Sequence, residues 1–200
     1  MDLFDSDTPR QILTHDGDSL YYGPIMSVPE ADRMAAALAD EIDWQHDRVK
    51  LYGKEIVTRR KVAWHGDEAY RYTYSHNTKI AAPWTPVLAE IKQLAERVSG
   101  TDYNCCLLNL YHTGEEGMAW HADDEKELVP QAAIASLSFG APRRFVFRHK
   151  QGREKAEVLL DHGSLLVMRG TTQTHWEHSL PVMKRVKTPR INLTFRKIAA

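Results

Sequence analysis

Residues 190–196 read RINLTFR. Taken as a β-strand, the stretch alternates without a slip. Ile191, Leu193 and Phe195 point one way; Arg190, Asn192, Thr194 and Arg196 point the other. The apolar set calls for a packed core. The polar set puts two arginines at the ends of one face, with an amide and a hydroxyl between them. On the surface this is an ordinary half-buried strand; lining a cavity, it is a binding site for an anion. Periodicity leaves both readings open.

Upstream of it, from Tyr103 onward, short β-branched, Leu-rich and aromatic runs follow one another: YNCCLLNLYH, AIASLSFG, RRFVFRHK, EVLL, SLLVMRG and THWEHSLP, parted by Gly, Pro, Asp or charged turns. Two helices precede them. Ser27 is placed as an N-cap with Glu30 as its capping-box partner, ahead of Ala31, Met34, Ala35, Leu38 and Ile42 at helical spacing. The second opens at Thr85-Pro86, buries Leu88, Ile91, Leu94, Ala95 and Val98, and stops at Gly100. Helices followed by closely spaced strands predict an α+β domain, a double-layered β-sandwich or jelly roll with the helices on one face. Residues 44–80, rich in aromatic and basic side chains, read as strands and long loops on the rim of the roll. The first 20 residues read as an acidic segment, poorly ordered or at an edge.

The chain of 200 residues suits one domain with a sizeable core. Its net charge of −1 is unevenly spread: residues 1–43 hold ten acidic and two basic groups, a net −8, and the remainder holds +7. Two runs, 143–155 and 179–200, each hold six Lys or Arg against at most one acid, which suits a polyanionic partner or merely solvated loop tips. The acidic, Pro9-broken N-terminus fits neither a signal peptide nor a transit sequence, and no run approaches the roughly 18 apolar residues of a membrane span. Cys105 and Cys106 are adjacent, so on a strand they face opposite ways and do not pair. An intracellular protein is expected, cytoplasmic if bacterial and nuclear if eukaryotic, and monomeric.

The residues that carry chemistry lie in the β-rich half. His121 and Asp123 in WHADDE are two apart, on one side of a strand, and His178 follows in HWEHSLP. Two histidines and a carboxylate can occupy one face of an octahedral Fe(II). An H-x-D tripeptide arises by chance in many proteins, and His175 rivals His178 for the third position. A small diacid needs guanidinium forks near both ends, which Arg190 and Arg196 would supply; Asn109 and Tyr111 share a face of LLNLYH and add an amide and a phenol.

In this order, N-x-Y, H-x-D, H and R-x-N-x-T-x-R, the chain resembles the AlkB family of Fe(II)- and 2-oxoglutarate-dependent dioxygenases, closest to the DNA-repair branch typified by AlkB homolog 2. The likeness is carried by LLNLYHTGEEGMAWHADDEKELVP, IASLSFGAPRRFVFRHK, HGSLLVM and THWEHSLPVMKRVKTPRINLTFRKI, and more weakly by PWTPVL, YTYS and LYGK. It covers roughly residues 45–198. The resemblance implies a double-stranded β-helix over residues 103–198, a nucleotide-recognition lid over 44–80, and a single dioxygenase domain over 21–200 after the 1–20 segment. It makes His121, Asp123 and His178 the iron ligands, His178 because it directly precedes SLP. It gives Asn109, Tyr111, Arg190, Asn192, Thr194 and Arg196 to 2-oxoglutarate, Arg190 at the carboxylate far from the metal and Arg196 near the chelating end. Fe(II), 2-oxoglutarate and O2 follow as cofactors.

The implied reaction hydroxylates an N-methyl group on a base such as 1-methyladenine or 3-methylcytosine in DNA and releases formaldehyde. A methyl on the pairing edge is buried in a duplex, so the nucleotide must leave the stack. Tyr74 is expected on the face of the flipped base, Tyr72 and Asp124 at the base edge or its sugar–phosphate, with Thr73 beside them; Tyr52, Gly53 and Lys54 match a wedge that fills the gap, although the family pattern has phenylalanine where Tyr52 stands. Arg143, Arg144, Arg148, Lys150 and Arg153 on one loop and Lys184, Arg185 and Lys187 on another would grip phosphates, with Arg59, Arg60 and Lys61 as further candidates. Alternatives are an RNA or nucleotide demethylase with the same chemistry, and a nucleic-acid-binding jelly roll without oxidation.

Overall fold

In the computed structural model, which describes residues 8–51, 54–74 and 77–199, RINLTFR is the last strand and lies in the middle of a large sheet. The chain begins with the edge strands β1 (Arg10–Gln11) and β2 (Asp18–Pro24), so the described part of the acidic segment borders that sheet. Helix α1 (Val28–Glu41) follows, then β3 (Gln45–Leu51), β4 (Lys54–Gly66), β5 (Arg71–Tyr74), β6 (Asn77–Ile80) and helix α2 (Pro86–Ser99). The second half contains β7 (Cys105–Tyr111), β8 (Met118–His121), β9 (Ile134–Gly140), β10 (Arg143–His149), β11 (Lys155–Leu160), β12 (Ser164–Arg169), the single helical turn α3 (Thr172–His175), β13 (Trp176–Leu180) and β14 (Arg190–Arg196).

The large sheet has the order β1-β2-β12-β9-β14-β7-β4-β3 and the small one β11-β10-β13-β8; among the described residues β5 and β6 form a two-stranded sheet of their own. The paired strands among the described residues are antiparallel, and from β7 to β14 the chain crosses repeatedly between the two sheets. This arrangement is consistent with a jelly roll.

Both helices form where their local signals put them. The Glu30 carboxylate accepts from the Ser27 backbone N–H (2.9 Å) and hydroxyl (2.6 Å). Thr85 caps α2 through the Leu88 N–H, and Gly100 ends it at φ 67°, a left-handed conformation that costs glycine little. Their stripes, Ala31, Met34 and Leu38 with Leu88, Ile91 and Ala95, share one buried cluster with Ile191, Leu193 and Phe195. Each such large side chain contributes about 1.5–3 kcal/mol by leaving water. A second cluster, with Tyr111, Phe147, Leu166 and Trp176, fills the space between the sheets. Cys105 and Cys106 are free, buried and in different clusters; burial pushes both thiols up, Cys105 to about 12.

Two expectations need correction. Residues 44–80 are not all on a rim: β3 is the edge strand of the large sheet and β5–β6 stand outside it, but Lys61–Gly66 of β4 pair with Leu110–Cys105 of β7, inside that sheet. Residues 143–149 are a strand and not a loop, with Arg143 wholly buried.

Candidate active site between the two sheets

One cavity opens between the sheets, and each sheet supplies half of its chemistry. The register of the large sheet aligns the polar faces of three strands. Arg190 lies between Tyr111 and Gly140, Asn192 between Asn109 and Ser138, and Thr194 between Leu107 and Ser136. Because side-chain parity is kept across a ladder, Asn109, Tyr111, Ser136, Arg190, Asn192 and Thr194 line the cavity, with Ser138 behind Arg190, while Ile191, Leu193 and Phe195 face the helices. The question posed by RINLTFR is thus settled: its polar side is turned inward.

The small sheet brings the histidines. His178 on β13 pairs with His121 on β8, and their rings lie 4.3 Å apart. β8 ends at His121, and Asp123 follows just outside the strand rather than within it. The ligand atoms of His121, Asp123 and His178 nevertheless all lie within 4.8 Å of one another. The rival His175 ends the helical turn α3, not a strand, and is not among the cavity-lining residues.

Each donor is prepared. His121 Nδ1 lies 2.8 Å from the Ala119 carbonyl, a bond that keeps the ring proton on Nδ1 and leaves the Nε2 lone pair bare. Burial pushes His178 down to about 3, so its imidazole is neutral and able to donate to a metal. Phe145 stacks on it at 5.1 Å. Burial pushes the Asp123 carboxyl up, but Arg196, His178 and His121 outweigh burial and hold it below its ordinary value. Arg196 Nη2 donates to Asp123 Oδ1 at 2.7 Å, and the Gln173 amide oxygen accepts from the Asp123 backbone N–H.

Arg190 differs from Arg196. It is 3% exposed, donates to the Ser138 hydroxyl (2.9 Å) and lies over the Tyr111 ring, and no carboxylate among the described residues faces it. Its Nε has no hydrogen-bond partner, nor has the Asn109 Oδ1. An uncompensated guanidinium at the end of a cavity is a receptor for an anion. Three oxygen- and nitrogen-bearing groups with open lone pairs at the other end suit a divalent iron. The residues present therefore fit both an iron and a dicarboxylate.

Other residues are placed less directly. Tyr52 and Gly53 lie outside the described residues; Lys54 starts β4, and Tyr72, Thr73 and Tyr74 lie on β5, opposite Lys79, Thr78 and Asn77. Asp124 is exposed and 3.7 Å from Lys150 Nζ, and it lines a neighbouring cavity instead. Of the basic groups, Arg143 is engaged by the carbonyls of Glu116 and Pro181, and Arg148 by Glu177. Lys184, Arg185, Lys187 and Arg153 are exposed. The reading of charge alone missed that Arg60 is buried against Asp47 at the cavity wall, and that Ser136 and Ser138 support Asn192 and Arg190. Parity held that information: Arg60 shares a face with Val62 and Trp64, and Arg143 with Phe145 and Phe147.

The sequence profile of the 2OG-Fe(II) oxygenase superfamily matches residues 18–196. DNA oxidative demethylase ALKBH2 of Mus musculus is 43% identical over 197 residues, which is 93% of this chain and 82% of that protein. The Homo sapiens protein of the same name is 44% identical over 188 residues, 88% of this chain and 72% of that protein. Alpha-ketoglutarate-dependent dioxygenase alkB homolog 3 of Homo sapiens is 37% identical over 190 residues, 88% of this chain and 65% of that protein. The solved structure of OsALKBH1 superposes with a TM-score of 0.65 at 14% identity, covering 93% of this chain and 99% of that one, a likeness of fold.

Proposed function

We propose, on the premise that the chain belongs to the 2OG-Fe(II) oxygenase superfamily, that it is a DNA oxidative demethylase acting on N-alkylated bases such as 1-methyladenine and 3-methylcytosine. As a member it is an Fe(II)- and 2-oxoglutarate-dependent dioxygenase that consumes O2. The observation that carries the reading is the single cavity that joins the His121, Asp123 and His178 donors to the orphan guanidinium of Arg190. The substrate class is drawn from ALKBH2, the relative at 43–44% identity.

His121, Asp123 and His178 would hold the iron; Arg190, with Asn109, Tyr111, Asn192 and Thr194, would hold 2-oxoglutarate, with Arg196 at the metal end. Bound together with oxygen, these cofactors supply the oxidation that converts an N-methyl into an N-hydroxymethyl, with succinate and carbon dioxide as coproducts. The hydroxymethyl then leaves the base as formaldehyde. The protein's part is positional. Arg190 sets which end of the diacid faces the metal, and Arg196 fixes the carboxylate of Asp123. Phe145, Met118 and Leu180 line the cavity and keep it dry.

The remaining assignments belong to the same proposal. The β5–β6 hairpin, with Tyr72, Thr73 and Tyr74, serves as the lid that receives a flipped base; Asp124 contacts the base edge or its sugar–phosphate; Tyr52, Gly53 and Lys54 form the wedge. Residues 103–198 carry the chemistry, 44–80 recognise the nucleotide, and the 1–20 segment takes no part in either. The protein works as an intracellular monomer, and duplex DNA is preferred to single strands or RNA.

An oligonucleotide bearing 1-methyladenine, supplied with Fe(II) and 2-oxoglutarate, tests this. Formaldehyde and succinate should appear in proportion to repaired base, fastest on the duplex, and His178→Ala should abolish both. Turnover confined to RNA or free nucleotides would replace the substrate class; binding without succinate would overturn the enzyme reading.

A further inference from the structure

A second group of metal-competent side chains lies outside the cavity. His15 and Asp16, in the turn between β1 and β2, meet His149 at the end of β10, with their ligand atoms within 4.8 Å of one another. Asp16 Oδ2 is 3.1 Å from His15 Nδ1 and 3.4 Å from His149 Nε2. His149 is 8% exposed, and its Nε2 makes no hydrogen bond. The turn is already fixed without any ion: the His15 carbonyl accepts from Trp176 Nε1 (3.1 Å), and Asp16 holds a left-handed φ of 51°. His175 stacks on His149, the rings parallel to within 1° at 6.1 Å.

We infer that His15, Asp16 and His149 form a second cation site, for a borderline divalent metal such as Zn2+, that pins the β1–β2 turn to the small sheet. Two imidazoles and one carboxylate are donors such ions accept, and the remaining position falls to water. The ring proton of His149 has to move. Gly152 N–H now donates to His149 Nδ1 (2.9 Å), which puts the proton on Nε2, toward Asp16. With metal on Nε2 the proton sits on Nδ1, and the contact from the Gly152 N–H has to open. The site shares no residue with the cavity, so it stands or falls apart from the dioxygenase reading.

The test is Zn2+ stoichiometry on the full chain by equilibrium dialysis. With the cavity's donors removed by His121→Ala and His178→Ala, one Zn2+ should still bind per chain. Adding His15→Ala, an exposed change, should weaken it by at least about tenfold, since loss of a mere outer-sphere partner already costs about 10–100-fold. In the otherwise unaltered chain, His15→Ala should lower the count from two to one, and Zn2+ should raise the melting temperature less. Zn2+ uptake that is absent once the cavity is disabled, or that is indifferent to His15→Ala in both backgrounds, overturns the inference.

Discussion

Arg190 is a guanidinium removed from water with a hydroxyl and an aromatic ring for company. Desolvating a cation costs several kcal/mol, and one neutral hydrogen bond returns about 0.5–1.5. Burial pushes its pKa down to about 10, so it stays charged at neutral pH, held at a loss until an anion arrives. Arg190→Met should therefore leave the ligand-free melting temperature unchanged or raised. It should also raise the 2-oxoglutarate KM by about 10- to 150-fold, the worth of a charged hydrogen bond of about 1.5–3 kcal/mol. A lower melting temperature with an unmoved KM would make Arg190 structural. Arg196 should answer oppositely. Its nearest carboxylate is Asp123 at 2.7 Å, with Glu125 at 3.9 Å behind it, so Asp123→Ala takes away the closer compensation of a buried guanidinium and should cost at most about 3–5 kcal/mol. At about 2–4 °C per kcal/mol for a chain of this size, thermal unfolding reads that directly.

Strand β14 enters the large sheet through a glycine of β9. Gly140 is paired with Arg190, has φ 83°, and stands with the space for a Cβ taken by the Pro189 carbonyl. Its N–H donates to His162 Nδ1 at 2.8 Å. Gly140→Ala should cost about 1–3 kcal/mol in backbone strain and displace the stretch of chain just before Arg190, raising the 2-oxoglutarate KM. Gly100→Ala is the control: the same left-handed strain at φ 67°, but open space around the Cβ, so stability falls and KM holds. Equal KM effects from both would deny Gly140 its positioning role. Elements of this kind also show what the sequence could reveal. The caps at Ser27 and Thr85 and the alternation of RINLTFR and IASLSFG were legible, because each is written within a few residues. The place of β4 beside β7 was not, since strand pairing at long range leaves no local mark. The helical turn Thr172–His175 was hidden in the same way, its last two residues opening a run that reads as strand. In the site, the donors and the Arg190 face were legible by parity and resemblance, whereas Asp47 against Arg60 needed the fold to bring two strands together.

Across the whole molecule, charge is sorted by burial before it can meet a partner. Of the basic runs, Arg143 is wholly buried, Arg148 is paired with Glu177 and Arg144 faces Glu157 at 3.7 Å. The loop that follows β13 keeps Lys184 and Arg185 exposed and is tied to the loop after β7, where Met183 N–H donates to the Gly114 carbonyl and Gly114 N–H to that of Val186. That tie gives the loop a fixed place, so its cations meet a phosphate backbone without first being ordered. If DNA is the partner, each cation withdrawn from a phosphate should reduce the slope of log affinity against log salt by about 0.9. Lys184→Ala with Arg185→Ala should then lower the slope by roughly 2 on any sequence, while Arg148→Ala leaves it alone. Fluorescence anisotropy with a methylated duplex over a range of salt measures both. A slope unmoved by the double change would take this loop off the nucleic-acid surface, and a slope lowered by Arg148→Ala would mean that its pairing with Glu177 opens on binding.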